Sequence, residues 1–384
     1  MLALLAAGPG NPVHVERLTR WLLTPGPGRD GPDPGSAEPW LRRLESLAPE
    51  AIQTAELRAR SLVARGEGDE AARLLAGHAE RHPEQSRSVA MLLDTIGRPD
   101  EAVAMLRGLA TSEEGEAAAI SLFLQSRVLE RMGRFDEAEA TLRRFVEAIG
   151  RPEASLDLAE FLGRRGRVDE ALDLCDLSWE TCPPAKVARA ATVSIYEPGV
   201  PVAAINRVAA GIQRALGDHP ADAGLLFYLG NIRALQGDPG EAERLFRESV
   251  DRDELSSGAV ANLAWIIAVR DPSRATEARS IADRGIWLLG PLPDLLNARA
   301  AALMRLGDAP GAIADLERAV VDPQPDPIWM LHLAQAYLMA DRVDDAGRTL
   351  DLARESGLAD DRVPELERSS YAMFLDELAR RRDG

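Results

Sequence analysis

Apolar residues return at i, i+3, i+4 and i+7 along much of the chain, as at Val89, Leu92, Leu93 and Ile96. That spacing is the stripe of an amphipathic helix. Glycine closes many such stretches, because it alone enters the left-handed backbone region without steric cost. A second helix is expected to open straight afterwards, with Asp69, Asp100, Asp136, Asp169 or Asp344 as N-cap. The acidic residue that follows complements the helix dipole. Next comes an alanine, small enough to let two helices approach closely. Leu75, Leu106, Leu142, Phe246, Leu316 and Leu350 fall four residues later on the same face. Proline then stops several units, at Pro49, Pro83, Pro183, Pro220 and Pro323.

The pattern repeats. Gly66…Glu70-Ala71, Gly97…Glu101-Ala102, Gly133…Glu137-Ala138, Gly166…Glu170-Ala171 and Gly237…Glu241-Ala242 are close copies. Gly307…Ala312 and Asp341…Asp345-Ala346 are looser ones, weak copies lie at Ala278 and near Ala209, and Ala37 opens the series. Ten units of roughly 34 residues result, each read as two helices.

At this point the sequence resembles the tetratricopeptide repeat family. The best copy is Trp329-x-x-x-Leu333-Ala334-x-x-Tyr337, with Asp341 in place of glycine and then Ala346. Leu158-Ala159-x-x-Leu162…Gly166…Ala171…Pro183 and Leu229-Gly230…Gly237…Ala242 also match. The resemblance covers roughly residues 12 to 357. It implies an all-α fold: a right-handed α-solenoid, or superhelix, of stacked antiparallel helix pairs, in which each repeat contacts mainly its neighbours. First helices would line a concave groove and second helices the convex back. Residues 364–381 carry Leu366, Tyr371, Phe374, Leu375 and Leu378 on one side, which predicts a C-terminal capping helix over the final repeat. Glu197-Pro-Gly-Val-Pro201 breaks the register of a degenerate unit, counted fifth, and the first unit has a Pro/Gly loop from Thr24 to Ser36. With the Cys182-Pro-Pro184 break, this predicts an N-terminal array over 1–183 and a C-terminal array over 184–384 in one continuous solenoid.

Composition narrows function. The 384 residues are 46% hydrophobic and 28% charged, so a real core can be buried. A net charge of −17 argues against nucleic acid, and so against the RNA-binding pentatricopeptide class of similar period. No apolar run approaches the ~20 residues of a membrane span, so no membrane insertion is expected. Two cysteines exclude a disulfide scaffold. Met1-Leu-Ala-Leu-Leu-Ala-Ala lacks the basic start of a signal peptide, which leaves the cytoplasm as the expected location.

Catalytic chemistry is not visible. Gly26-Pro-Gly28-Arg-Asp-Gly31 matches a dinucleotide fingerprint formally, but it lies between helices and among prolines and reads as a loop. His78 and His82 share a helix face, yet Glu80 is misplaced for a zinc motif, so two partly exposed residues are expected. His14, His219 and His332 stand isolated. Cys175 and Cys182 fall on one predicted helix, too far apart to pair, and Cys175 takes a leucine position. No catalytic residue, cofactor or metal site is assigned.

A binding site has one candidate pattern. Asn231 and Asn262, thirty-one residues apart, fall on first helices of consecutive units. Asparagine offers donor and acceptor together, which suits gripping a peptide backbone. In relatives that clamp a C-terminal carboxylate, a similar asparagine pair works beside lysines and arginine. Here Phe227 and Ala261 replace such neighbours and Arg299 is the nearest cation, so generic peptide gripping is expected instead. Phe227, Trp265 and Gln335 would share the groove, though Trp265 also suits packing between helices. Trp21, Trp40, Trp179, Trp287 and Trp329 read as inter-helix core. The expectation is a non-catalytic scaffold for a neutral or basic protein or peptide ligand. The alternative is a regulatory or substrate-presenting arm of a larger enzyme, or of a secretion or assembly complex.

Overall fold

The computed structural model describes residues 11–24, 32–197, 199–321 and 326–382. The Gly26–Gly31 fingerprint and Pro323 lie outside them. The described residues form twenty-one α-helices and no strand. In the N-terminal half these are α1 Pro12–Leu23, α2 Pro34–Leu47, α3 Ile52–Ala64, α4 Gly68–Arg81, α5 Ser86–Thr95, α6 Pro99–Ser112, α7 Gly115–Arg131 and α8 Phe135–Ile149. They continue as α9 Ala154–Arg164, α10 Val168–Ser178, α11 Pro184–Val193, α12 Val202–Asp218, α13 Ala223–Leu235 and α14 Pro239–Arg252. The last are α15 Ser257–Arg270, α16 Ala275–Leu289, α17 Pro293–Arg305, α18 Ala309–Ala319, α19 Pro327–Met339, α20 Val343–Glu355 and α21 Arg368–Arg382.

Two compact units divide the chain, Met1–Ala154 and Ser155–Gly384. The division falls one helix pair before the Cys182-Pro-Pro184 break that the sequence suggested. It lies just after Gly150, which ends α8 in the left-handed conformation. Pro183 and Pro184 instead open α11 inside the second unit.

Within each unit neighbouring helices pack in sequence order, as α1 with α2, α7 with α8, α13 with α14 and α19 with α20, and first helices also touch the next first helix at α1–α3, α11–α13, α15–α17 and α17–α19. This is α-solenoid stacking. The degenerate pair, α11 and α12, is the sixth and not the fifth. Gly66, Gly97, Gly133, Gly166, Gly237 and Gly307 all have φ between 73° and 82°, and Asp341 takes the same place at 62°. The next residue's N–H returns to a carbonyl five back, as Arg98 does to Leu93 at 2.8 Å. That bond completes a Schellman turn and satisfies the helix end.

The aspartates after these glycines are not caps. Asp69, Asp100, Asp136, Asp169 and Asp344 lie one residue or more inside the helix, in its first turn. The cap positions hold Glu67, Arg98, Arg134, Arg167 and Arg342, none with a side-chain cap bond. Arg134 and Arg167 instead reach forward to Glu137 and Glu170, both at 2.7 Å. At the glycine turns, aspartate caps the helix where it directly follows the glycine: Asp238 accepts from Glu241 N–H and Asp308 from Gly311 N–H, both at 3.0 Å.

The small-residue position carries the packing. Ala37, Ala71, Ala102, Ala138, Ala171, Ala242, Ala278, Ala312 and Ala346 are all fully buried. Trp40, Trp179 and Trp329 are half-buried between helices. Trp287 and Trp21 are not core: they are 82% and 47% exposed. On α16 the buried face runs through Ala278, Ala282 and Gly285, and Trp287 falls on the opposite side. Helix α10 ends at Ser178, so Cys182 sits in the turn beyond it. Both thiols are free and buried, and burial, with Asp176 and Glu160 nearby, pushes Cys175 up to about 12. No helix among the described residues is long and apolar enough to cross a membrane.

Candidate functional site

The asparagine pair is real as a contact. Asn262 Nδ2 on α15 donates to Asn231 Oδ1 on α13 at 2.7 Å, so consecutive first helices are joined through these side chains. The bond uses one N–H of Asn262 and one lone pair of Asn231. It leaves the NH2 of Asn231 and the carbonyl of Asn262 facing away from each other's bond, both half-buried. Phe227, one turn before Asn231, is half-buried beside Phe246 at 6.0 Å, and a Cβ at Gly258 would come within 3.0 Å of its ring. It therefore packs between repeats as well as bordering the asparagines.

Arg299 does not serve as a nearby cation. Its guanidinium bonds both oxygens of buried Asp315 on α18, at 2.6 and 2.7 Å, and Asp283 on α16 at 2.9 Å. Those are second helices, so Arg299 is turned into the repeat stack. The two carboxylates raise its pKa.

Trp265 meets a partner that the repeat pattern did not point to. Its indole N–H donates to Glu367 Oε1 at 2.9 Å, from the short turn Glu365–Glu367 that precedes α21. Glu367 Oε2 is 2.9 Å from His332 Nε2 on α19, and His332 Nδ1 is 2.7 Å from Asn297 Oδ1 on α17. One carboxylate thus links first helices two repeats apart. A carboxyl group spans only a few ångströms, so the first-helix face of this unit must curve inward here. His332 and Glu367 are 3% and 4% exposed.

The surroundings of His332 favour its charged form. Nε2 faces a carboxylate oxygen and Nδ1 the side-chain oxygen of Asn297, an arrangement that favours the imidazolium, which can donate from both nitrogens. Burial alone would lower the pKa of His332, but the Glu367 charge and hydrogen bond outweigh it and hold it up. Burial likewise opposes ionised Glu367, and His332 with the Trp265 N–H brings it below its ordinary value.

Gln335, one turn after His332 on α19, lines a cavity of about 350 Å3 between α17, α19 and α21. Met304, Met339 and Met373 make its wall apolar, with Arg305 and Arg381 at its edge. The candidates therefore divide: Phe227, Asn231 and Asn262 lie together, Trp265 and Gln335 border the C-terminal segment, and Arg299 faces elsewhere.

Sequence reasoning passed over Asn297, His332 and Glu367. A signal was present, since Asn262, Asn297, His332 and Glu367 are each thirty-five residues apart. Three of them, Asn297, His332 and Glu367, join in one chain of contacts, while Asn262 bonds Asn231 instead. The histidines at 78 and 82 are a different matter. Their rings are 4.7 Å apart, but His78 is buried against Gln85 at 2.9 Å and His82 bonds Glu50 at 2.6 Å. His78 is thus buried, not partly exposed.

Comparison with known proteins bears on the whole array. Tetratricopeptide repeat family models match residues 157–353, residues 90–150 and 123–184, and residues 52–76. A cellulose synthase operon protein C of Xanthomonas axonopodis pv. citri (strain 306) is 33% identical over 134 residues, 32% of this chain and 8% of that protein. The chain spans less than a tenth of that relative's length. A tetratricopeptide repeat protein of Parabacteroides merdae ATCC 43184 is 15% identical, with TM-score 0.41, over 77% of this chain and 98% of its own. A thermophilic counterpart from Thermus thermophilus is 22% identical, with TM-score 0.37, over 45% and 92%.

Proposed function

From the premise that this chain belongs to the tetratricopeptide repeat family, we propose that it is a non-catalytic scaffold gripping an extended peptide on the first helices of its C-terminal unit. Repeats of this family bind protein partners, which gives the class of activity. The observation that carries the finer reading is the Asn262–Asn231 hydrogen bond. It fixes both amides so that one presents N–H groups and the other a carbonyl, the complement of a peptide backbone. Both side chains are held before the ligand arrives, which lowers the ordering cost of binding. A chain of net charge −17 disfavours an acidic ligand and attracts a basic one, and salt should weaken binding of a basic ligand.

A crosslinking pull-down from native lysate tests it, comparing the full chain with Asn231→Ala/Asn262→Ala. A partner held by the first and lost by the second, with helicity unchanged, supports the asparagine site. A partner held equally by both moves the site to another surface.

A second reading has one observation in its favour. The 134-residue similarity falls within a much longer protein named for an operon of cellulose synthesis. It suits a repeat array that serves as an arm of a larger enzyme or secretion assembly. Co-purification with a fixed set of subunits, indifferent to the asparagine variant, would favour this arrangement.

A further inference from the structure

The inner face of α15, α17 and α19 already holds a polypeptide segment, and that segment comes from the same chain. Leu366 packs against the core around Phe246, Leu263 and Ile267, while its neighbour Glu367 inserts between Trp265 and His332. Helix α21 continues from this turn and lays Tyr371, Phe374 and Leu378 on the last repeat. The arrangement has the anatomy of a bound ligand: an aliphatic anchor, a desolvated charged anchor, and an amphipathic helix behind them.

Three side chains converge on the glutamate site or its support. Trp265 and His332 donate to the carboxylate, and Asn297 holds the far nitrogen of His332. Arg305 on α17 adds positive charge beside the site, and Asp326 at the start of α19 opposes it. Without such an occupant the Trp265 indole N–H and His332 Nε2 would lose the carboxylate that they meet in the folded chain. The surface is therefore built to receive a carboxylate flanked by an apolar residue. Residues 356–382 carry six acidic side chains against five arginines, so a segment of this kind is close to neutral overall and suits an acidic scaffold.

We propose that the C-terminal segment is an intramolecular ligand of this face. It occupies the site until a partner helix that begins with an aliphatic–glutamate pair displaces it. This rests on the reading of the first-helix face as a peptide groove. It does not rest on the Asn262–Asn231 hydrogen bond, although Asn262 shares α15 with Trp265. A displacing partner must replace the Glu367 contacts and also cover the surface left by Tyr371, Phe374 and Leu378. An extended peptide alone would not suffice.

The test uses a fluorescein-labelled synthetic peptide with the sequence of residues 356–382 and follows its anisotropy with full-length protein. The chain carrying Leu366→Ala/Glu367→Gln should bind the peptide at least tenfold more tightly than the unaltered chain, whose site is filled. A peptide carrying Glu367→Gln should lose that gain. Equal binding by both chains, no binding by a variant chain that remains helical, or indifference to the peptide's glutamate would each overturn the proposal. Hydrogen exchange on the single variant Glu367→Gln guards against misfolding. Exchange over residues 358–378 should quicken at least tenfold while α13 and α14 stay as they were, and unaltered exchange over the segment would equally overturn it. The asparagine reading stands or falls by its own pull-down, so the two failures remain distinguishable.

Discussion

At Gly163 on α9 an added methyl would overlap the backbone Cα of Ser194, which follows α11. Backbone cannot swing aside as a side-chain tip can, so Gly163→Ala should cost about 2–3 kcal/mol in a urea titration. Gly230 is the family's small position on α13, where a Cβ would lie 2.6 Å from the Phe246 ring. Its alanine variant should lose about 1–3 kcal/mol by the same measurement. Asp341 offers the opposite sign. It holds φ at 62° where six other turns use glycine, and its side chain makes an exposed ion pair with Arg381 at 3.0 Å. Asp341→Gly should therefore raise stability by about 0.5–1 kcal/mol, since an exposed pair contributes little. These positions were legible as motif letters. Which neighbour each one touches was not, because the neighbour sits far away in sequence.

At the scale of the element, the C-terminal segment is held by a titratable pair. His332 is raised in the folded chain, so its contribution is complete below the ordinary histidine value of 6.5 and fades as pH rises through the raised value. Glu367 is lowered, so its contribution is complete above the ordinary 4.5 and fades as pH falls through the lowered value. Docking should be tightest between those two ordinary values. Amide exchange across residues 356–382 should then be slowest near pH 5.5, roughly the middle of the window, and quicken on either side of it. The Glu367→Gln chain should show a much flatter profile after correction for intrinsic exchange. A profile equally curved in that variant would assign the dependence to other groups. The sequence marked this segment as a cap from Tyr371, Phe374 and Leu378, which are buried on the last repeat. Its reach to Trp265 came from the turn ahead of the helix, where the 35-residue spacing of Glu367 from His332 was a signal but the helical stripe was not.

Across the molecule, each unit is a run of nearest-neighbour interfaces, so damage should stay local. Leu142→Ala on α8 removes a side chain only 3% exposed and should cost about 2–5 kcal/mol. Exchange protection should fall in α7 and α8 and hold in α17 to α20; uniform loss across all helices would mean the array unfolds as one body. The sequence by itself determined the helix pairs, the glycine turns, the alanine face and the count of ten. Each of these follows from local sterics and a period of roughly 34 residues, repeated often enough to be read without coordinates. Tertiary structure decided what the polar residues do. It turned Arg299 toward Asp283 and Asp315, put Trp287 outside, and brought Asn297, His332 and Glu367 to one point. Periodicity assigns a residue to a face of its own helix. How far that face curves toward the helices of other repeats depends on the packing of all the units between them.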